Sequence, residues 1–186
     1  TEQKPIKITA DARGIRLDVY VEDEAKTVYD IEMQPTMTQN LPKRSRYYQG
    51  MIDLNLIERG ADFNELKKSY VIFICLEDPF NEGLHIYTFE NKCRECALIL
   101  GDDTTKVFIN AAGTADDVSD EMKEFLDYLQ GKGTQNDFTR RIASEVDKAR
   151  IHEEWRVEYM SLLLRDQEMR AAGREEGREE ERIRVI

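Results

Sequence analysis

In the stretch YDIEMQ, Asp30, Glu32 and Gln34 alternate with Tyr29, Ile31 and Met33, and Lys43, Arg44 and Arg46 follow shortly after. Grouped carboxylates are hard oxygen ligands. Mg²⁺ needs only one or two of them, because it keeps several waters and accepts backbone carbonyls. A second acidic candidate is Asp18, in the preceding stretch RLDVYVED. If the chain reverses around Ala25, Asp18 faces Glu32, Tyr20 faces Asp30 and Arg16 faces Gln34. Directly opposed residues have Cβ atoms about 4.5–5.5 Å apart, and like charges placed so repel. Two readings account for the pair. One is a solvated polar face with Arg16 as counter-charge; the other is a carboxylate pair that holds a divalent metal.

The elements that must position these groups follow from periodicity. Residues 14–22 alternate, with Ile15, Leu17, Val19 and Val21 on one face and Arg16, Asp18, Tyr20 and Glu22 on the other. Thr27 to Gln34 alternates again, so the two segments form an antiparallel hairpin ended by Pro35. By polarity, Asp30, Glu32 and Gln34 belong on the solvent face, and Ile31 and Met33 on the core face. A short edge strand is expected at Ile6–Ile8. Asn40 is a candidate N-cap, with Pro42 in the first turn of a helix running from Leu41 to about Arg59 and stopped by Gly60. On that helix Tyr47, Met51, Leu54 and Ile57 are the candidate core face. Asp62 or Asn64 starts a short helical turn. Ser69 to Leu76 is a nearly continuous apolar run, the mark of a central strand covered on both faces. Weaker strands are expected at His85–Phe89, Ala97–Leu100 and Lys106–Asn110, in a mainly antiparallel sheet.

Helices dominate the rest. Ser119 caps one whose stripe is Met122, Phe125, Leu126 and Leu129. After Gly131-Lys132-Gly133 another begins near Asp137 and continues through Trp155, Tyr159, Leu162 and Leu163 into a tail with the repeat Gly-Arg-Glu-Glu at 173–176 and 177–180. The face formed by Trp155, Tyr159, Leu162 and Leu163 is either core or the seam of a homodimer.

The basic helix has two readings as well. Lys43, Arg44 and Arg46 interleaved with Tyr47 and Tyr48 suit a phosphodiester, and Arg recognises phosphate bidentately. A solvated helix face gives the same pattern. Cys93-Arg94-Glu95-Cys96 is a lone CxxC with only His85 nearby, short of the four ligands a zinc site wants. No nucleotide-binding glycine loop, nucleophile elbow or zincin motif occurs.

Composition bounds these readings. The chain has 186 residues, 40% hydrophobic and 35% charged, with a net charge of −11. So acidic a protein draws no general attraction to nucleic acid from its overall field, and any DNA contact must come from a local basic patch. No apolar run approaches the ~20 residues of a membrane-spanning helix. Three cysteines are too few for a disulfide scaffold and fit a reducing, cytoplasmic setting. The chain opens on Thr1 without a signal-peptide pattern, and it is expected to begin inside a longer product.

The order Asp18, hairpin, Glu32-Met33-Gln34, helix, buried strand resembles the core of the PD-(D/E)XK nuclease superfamily. More narrowly, the segments RLDVYVED, YDIEMQ, LPKRSRYYQGMIDLNLIERG, YVIFICLEDPF, FINAAGTADDVSDEMKEFLDYL and EEWRVEYM resemble the bacterial recombination-promoting nuclease and transposase family. The resemblance covers most of the chain. It implies an α/β (α+β) restriction-endonuclease-like core, a mixed sheet flanked by helices, with a C-terminal helical extension. The expected divisions are 1–115 for the nuclease-like core, 116–150 for a helical subdomain and 151–186 for a charged helix and tail. The superfamily's acidic helix ahead of the hairpin is expected upstream of Thr1.

Carried over by position, the resemblance makes Asp18 and Glu32 ligands of Mg²⁺ or Mn²⁺, with the carbonyl of Met33 as a further ligand. Gln34 stands where the superfamily usually has lysine, so the third catalytic position is neutral. Lys43, Arg44, Arg46 and Tyr48 become the DNA- and phosphate-binding set. The implied activity is metal-dependent DNA cleavage leaving a 3′-hydroxyl and a 5′-phosphate, tied to recombination or transposition. A catalytically silent nuclease fold serving interaction or regulation is the alternative.

Overall fold

The computed structural model describes residues 2–6, 15–36, 38–134 and 136–151. The chain divides into two compact units, Thr1–Gly133 and Thr134–Ile186. Among the described residues, the first holds a six-stranded sheet and two α-helices. Its elements run β1 (Glu2–Ile6), β2 (Ile15–Glu22), β3 (Val28–Gln34), α1 (Leu41–Leu56), a 3₁₀ turn (Phe63–Glu65), β4 (Ser69–Cys75), β5 (Ile86–Phe89), β6 (Thr104–Asn110) and α2 (Asp120–Leu129). The second contributes α3 (Asp137–Ile151).

The strand order is β1-β2-β3-β4-β6-β5. The expected hairpin is present in the expected register, with Val19 opposite Ile31, Tyr20 opposite Asp30 and Val21 opposite Tyr29. Asp23 builds its turn, accepting the Thr27 N–H on Oδ1 at 2.8 Å, while Lys26 takes a left-handed φ of 67°. The sheet is mixed, but its centre differs from the antiparallel expectation. β3 pairs parallel to β4, and β4 parallel to β6. Antiparallel pairing is confined to β1-β2-β3 on one side and β6-β5 on the other. The reason is α1: a helix between consecutive strands carries the chain back across the sheet, so β3 and β4 run the same way.

β4 is the central strand its apolar run predicts, with Val71, Phe73, Ile74 and Cys75 buried. Leu41, Met51 and Ile52 of α1 join Val28, Val71, Phe73 and Phe108 in the core. Phe73 stacks on Phe108, and Phe80 meets Tyr87, Phe89 and Phe108 at 4.9–5.2 Å between centroids. Three expectations about these elements are corrected. α1 ends at Leu56, because Ile57 is already extended, and Gly60 at φ 86° turns the chain after it rather than capping it. The inner stripe of α1 is Leu41, Ser45, Gln49 and Ile52 with Met51, whereas Tyr47 and Leu54 are exposed. Polar residues fit there because Gln49 donates to Ser69 Oγ at 2.7 Å and Ser45 to the Pro42 carbonyl. Ala97–Leu100 is no strand. It is an exposed turn region closed by the Lys92–Ile99 bridge and by Cys93 N–H to the Leu98 carbonyl. β1 lies at Glu2–Ile6, and the remainder of the expected Ile6–Ile8 strand lies outside the described residues.

Ser119 caps α2 as expected, accepting the Met122 N–H at 3.3 Å, and Leu126 of its apolar stripe is buried. The face at Trp155, Tyr159, Leu162 and Leu163 and the charged tail lie outside the described residues.

Candidate metal and phosphate site

β3 turns its polar face inward, opposite to the expectation from polarity. Asp30, Glu32 and Gln34 are 0%, 4% and 8% exposed, while Met33 between them is 43% exposed. Period-2 alternation fixes which residues share a face, and polarity alone placed that face outward. α1 reverses the assignment by covering this side of β3, as its Arg44 shows by reaching both Glu32 and Gln34. The acidic row is therefore built into the interior.

Asp18 and Glu32 are brought together. The Asp18 backbone N–H donates to Glu32 Oε1 at 3.0 Å, and the Met33 N–H donates to Asp18 Oδ2 at 3.3 Å. Asp18 itself is exposed, so the pair spans from the surface inward. Asp30 lies deeper, and neither of its carboxyl oxygens receives a hydrogen bond. Burial, then the neighbouring Glu32 charge, pushes Asp30 up to about 8. Burial also pushes Glu32 up to about 7, reinforced by the Asp18 charge and opposed by the Asp18 N–H and by Arg44. The Glu32 charge raises Asp30, whereas Asp30 in its protonated form lowers Glu32 by hydrogen bonding, so the pair favours one proton held on Asp30.

Arg44 is the cation facing this row. Its Nη1 donates to Gln34 Oε1 at 2.8 Å and its Nη2 to the Tyr48 hydroxyl at 3.2 Å. Glu32 Oε2 is 3.9 Å from Nη2, too far for a hydrogen bond. The guanidinium also lies 5.2 Å from the Phe73 ring centroid and 5.5 Å from that of Tyr48. Of the expected phosphate-binding residues, Arg44 and Tyr48 thus belong to the carboxylate site. Lys43 and Arg46 are exposed, and among the described residues no hydrogen bond or ion pair joins them to it.

The donor set suits Mg²⁺ or Mn²⁺. Carboxylate oxygens of Asp18, Asp30 and Glu32 are grouped here, and the cation facing them, Arg44, stays 3.9 Å from Glu32. Among the described residues no three Asp, Glu, His or Cys side chains converge tightly enough to hold an ion alone. Asp18 and Glu32 would hold it, with water, backbone and substrate oxygens completing the shell. Cys93 and Cys96 offer no comparable set; Cys93 Sγ is 3.1 Å from Glu95 Oε2 and Cys96 is exposed.

Sequence reasoning left two features of the site unassigned. Asp30 was visible only as an extra acid on the alternating face. The Gln34–Arg44 bond had a faint signal: a polar residue ending a strand and an Arg in the first turns of the next helix.

The family model for PD-(D/E)XK nuclease family transposases matches residues 2–144. No curated protein and no solved structure matches the chain. With that model spanning the hairpin, α1 and the central strands, the chain belongs to the PD-(D/E)XK nuclease family of transposases.

Proposed function

We propose that the protein is a metal-dependent DNA endonuclease acting in recombination or transposition. The observation that carries this reading is the interior carboxylate row, in which burial pushes Asp30 and Glu32 above the usual carboxylate range, faced by a partly exposed arginine. Burying Glu32 beside a second acid, Asp30, costs stability, and a cation bound at Asp18 and Glu32 would offset that cost. Asp18 and Glu32 are the ligands, with the Met33 carbonyl as a further one. When bound, Mg²⁺ or Mn²⁺ neutralises charge on the scissile phosphate and lowers the pKa of a coordinated water.

The chain's own residues do the rest. Glu32, held by the Asp18 N–H, keeps its carboxylate in one orientation. Arg44 presents its remaining N–H donors toward the phosphate, steadied by Tyr48. Lys43 and Arg46, exposed on α1, contact the DNA backbone further from the cut. α1 thereby supplies the local positive patch that an acidic protein needs to approach DNA.

Plasmid cleavage in Mg²⁺ tests the reading: Asp18→Ala and Glu32→Ala each abolish it, and nicking retained by either purified variant overturns it. Gln34 supports a second reading, a catalytically silent nuclease fold, because a neutral amide occupies the usual lysine position. Calorimetry separates the two. The nuclease reading expects Mn²⁺ binding that Glu32→Gln weakens; the silent reading expects no Glu32-dependent heat.

A further inference from the structure

Gln34 is buried, yet its amide makes two directed bonds. Nε2 donates to the Thr36 carbonyl at 2.5 Å, and Oε1 accepts from Arg44 Nη1 at 2.8 Å. The amide has only one workable orientation. Flipped, it would set oxygen against the Thr36 carbonyl and NH₂ against a guanidinium that can only donate. Thr36 therefore fixes Gln34, and Gln34 fixes Arg44.

The guanidinium's other supports are neutral as well: the Tyr48 hydroxyl and the faces of Tyr48 and Phe73. The nearest carboxylate, Glu32, stays at 3.9 Å. Two of the five N–H donors of an arginine are used. The side chain is 31% exposed and its ion pair to Glu32 is long at 3.9 Å, so the charge stays open to a ligand.

We propose that Gln34 is a positioning residue that aims Arg44 at the phosphodiester, so that α1 rather than β3 supplies the site's positive charge. The inference rests on the nuclease reading and deepens it. It replaces the view of Gln34 as a weakened catalytic group with one in which its neutrality is useful. An acceptor without charge orients the guanidinium and leaves its charge for the phosphate, whereas a carboxylate there would neutralise it.

The test is duplex binding by fluorescence anisotropy across a salt series in EDTA, beside cleavage rates in Mg²⁺. Each phosphate contact contributes about one unit to the slope of log K against log[salt], so Arg44→Ala lowers the slope by about one. Gln34→Ala removes no charge, and it is expected to lower the slope too, because Arg44 is no longer aimed. A purely structural Gln34 would leave the slope alone.

In cleavage, Arg44→Ala is expected to cost about 100-fold, the loss typical of one charge-stabilising donor. Gln34→Ala costs about tenfold, and the double variant is no slower than Arg44→Ala, because the two residues act as one unit. Adding Gln34→Lys to Arg44→Ala restores part of the lost rate by returning a cation from β3. Gln34→Met, which keeps the volume and removes the acceptor, guards against a folding defect and behaves like Gln34→Ala. An unchanged slope in Gln34→Met, or losses that multiply in the double variant, overturns the proposal. Cleavage that survives Asp18→Ala instead overturns the nuclease reading, and the salt slopes still decide the role of Gln34. A wild-type protein that binds no duplex overturns both.

Discussion

Asp30 and Asp78 are the same residue type in the same unit, and the fold treats them in opposite ways. Asp78, just beyond β4, accepts the N–H groups of Phe80, Asn81 and Gly83 at 3.0, 3.0 and 2.8 Å and the Tyr87 hydroxyl at 2.9 Å. Burial pushes its carboxyl up, but these donors outweigh burial and hold it below the usual range. Nearby, Asp117 is held low first by the His85 ring, with Nδ1 at 2.6 Å, and it also accepts the His85 N–H at 2.9 Å. Asp30 has no donor, and its carboxyl is pushed up. Acids whose lone pairs are filled by backbone N–H groups hold loops in place. An interior acid left unfilled carries the cost of its burial and is held protonated instead.

The sharpest way to break this comparison is to remove the satisfied acid. Asp78→Ala leaves three backbone N–H groups and a hydroxyl without their acceptor at the turn that joins β4 to β5. The expected loss is about 3–5 kcal/mol, read as a large fall in urea midpoint with Mn²⁺ binding retained. If stability barely moves, filled lone pairs are not what marks a structural acid here.

Next in size is the packing of the same joint. A Cβ at Gly113 would sit 2.6 Å from the His85 ring and 3.0 Å from the His85 Cα. The ring cannot swing aside without giving up Asp117, and the backbone cannot shift without disturbing the bond from Asn110 N–H to the His85 carbonyl. Gly113→Ala is expected to cost about 2–3 kcal/mol by thermal unfolding. A neutral result would mean that the joint is looser than its hydrogen bonds imply.

The unsatisfied acid predicts a change of opposite sign. Asp30 titrates near 3.8 unfolded and about 8 folded, so the folded state binds more protons between those values. Its contribution is fully favourable below about 3.8 and is lost as pH rises through about 8, at up to about 1.4 kcal/mol per pH unit. Asp30→Asn removes the dependence and is expected to raise stability on the order of 2 kcal/mol at pH 8, with a flatter profile of melting temperature against pH. If the variant melts lower at pH 8 than the parent, Asp30 is satisfied in a way its surroundings do not suggest.

What the sequence made legible divides along the same line. The hairpin register followed from alternation and a turn at Ala25, because a two-residue period and one reversal leave little freedom. β4 followed from its apolar run, and α2 from Ser119 and its acidic first turn. Asp18 and Glu32 could be paired for the same reason as the hairpin. What failed was the choice of which face of β3 points inward. Alternation carries no sign, and the usual rule that acids face water breaks where a site is built inside. The stripe of α1 was misread likewise, since Ser45 and Gln49 point inward once Ser69 and the Pro42 carbonyl receive them. The Gln34–Arg44 bond needs the strand and helix already docked, and no spacing rule contains it. Ala97–Leu100 reads as a strand because it is apolar, yet Leu98 and Leu100 are exposed and the segment pairs only through the isolated Lys92–Ile99 bridge among the described residues.

The smallest expected effect comes from a pair that looks strong on distance alone. Lys123 Nζ lies 2.5 Å from Asp116 Oδ1, and that bond holds the Asp116 carboxyl below its usual range. The Asp116 side chain is 94% exposed, however, so water and salt screen the attraction and both side chains lose freedom to keep it. Lys123→Ala is therefore expected to leave the melting temperature unchanged within error at 0.15 M salt, roughly the ionic strength at which screening acts over about 8 Å. The contrast with Asp78 is then one of context. Both acids are held below their usual range by hydrogen bonds, but only Asp78 draws its donors from the backbone of a turn that must close. A clear loss of stability in Lys123→Ala would show that proximity to a cation matters more here than the backbone groups an acid satisfies, and the distinction drawn between Asp78 and Asp30 would lose its footing.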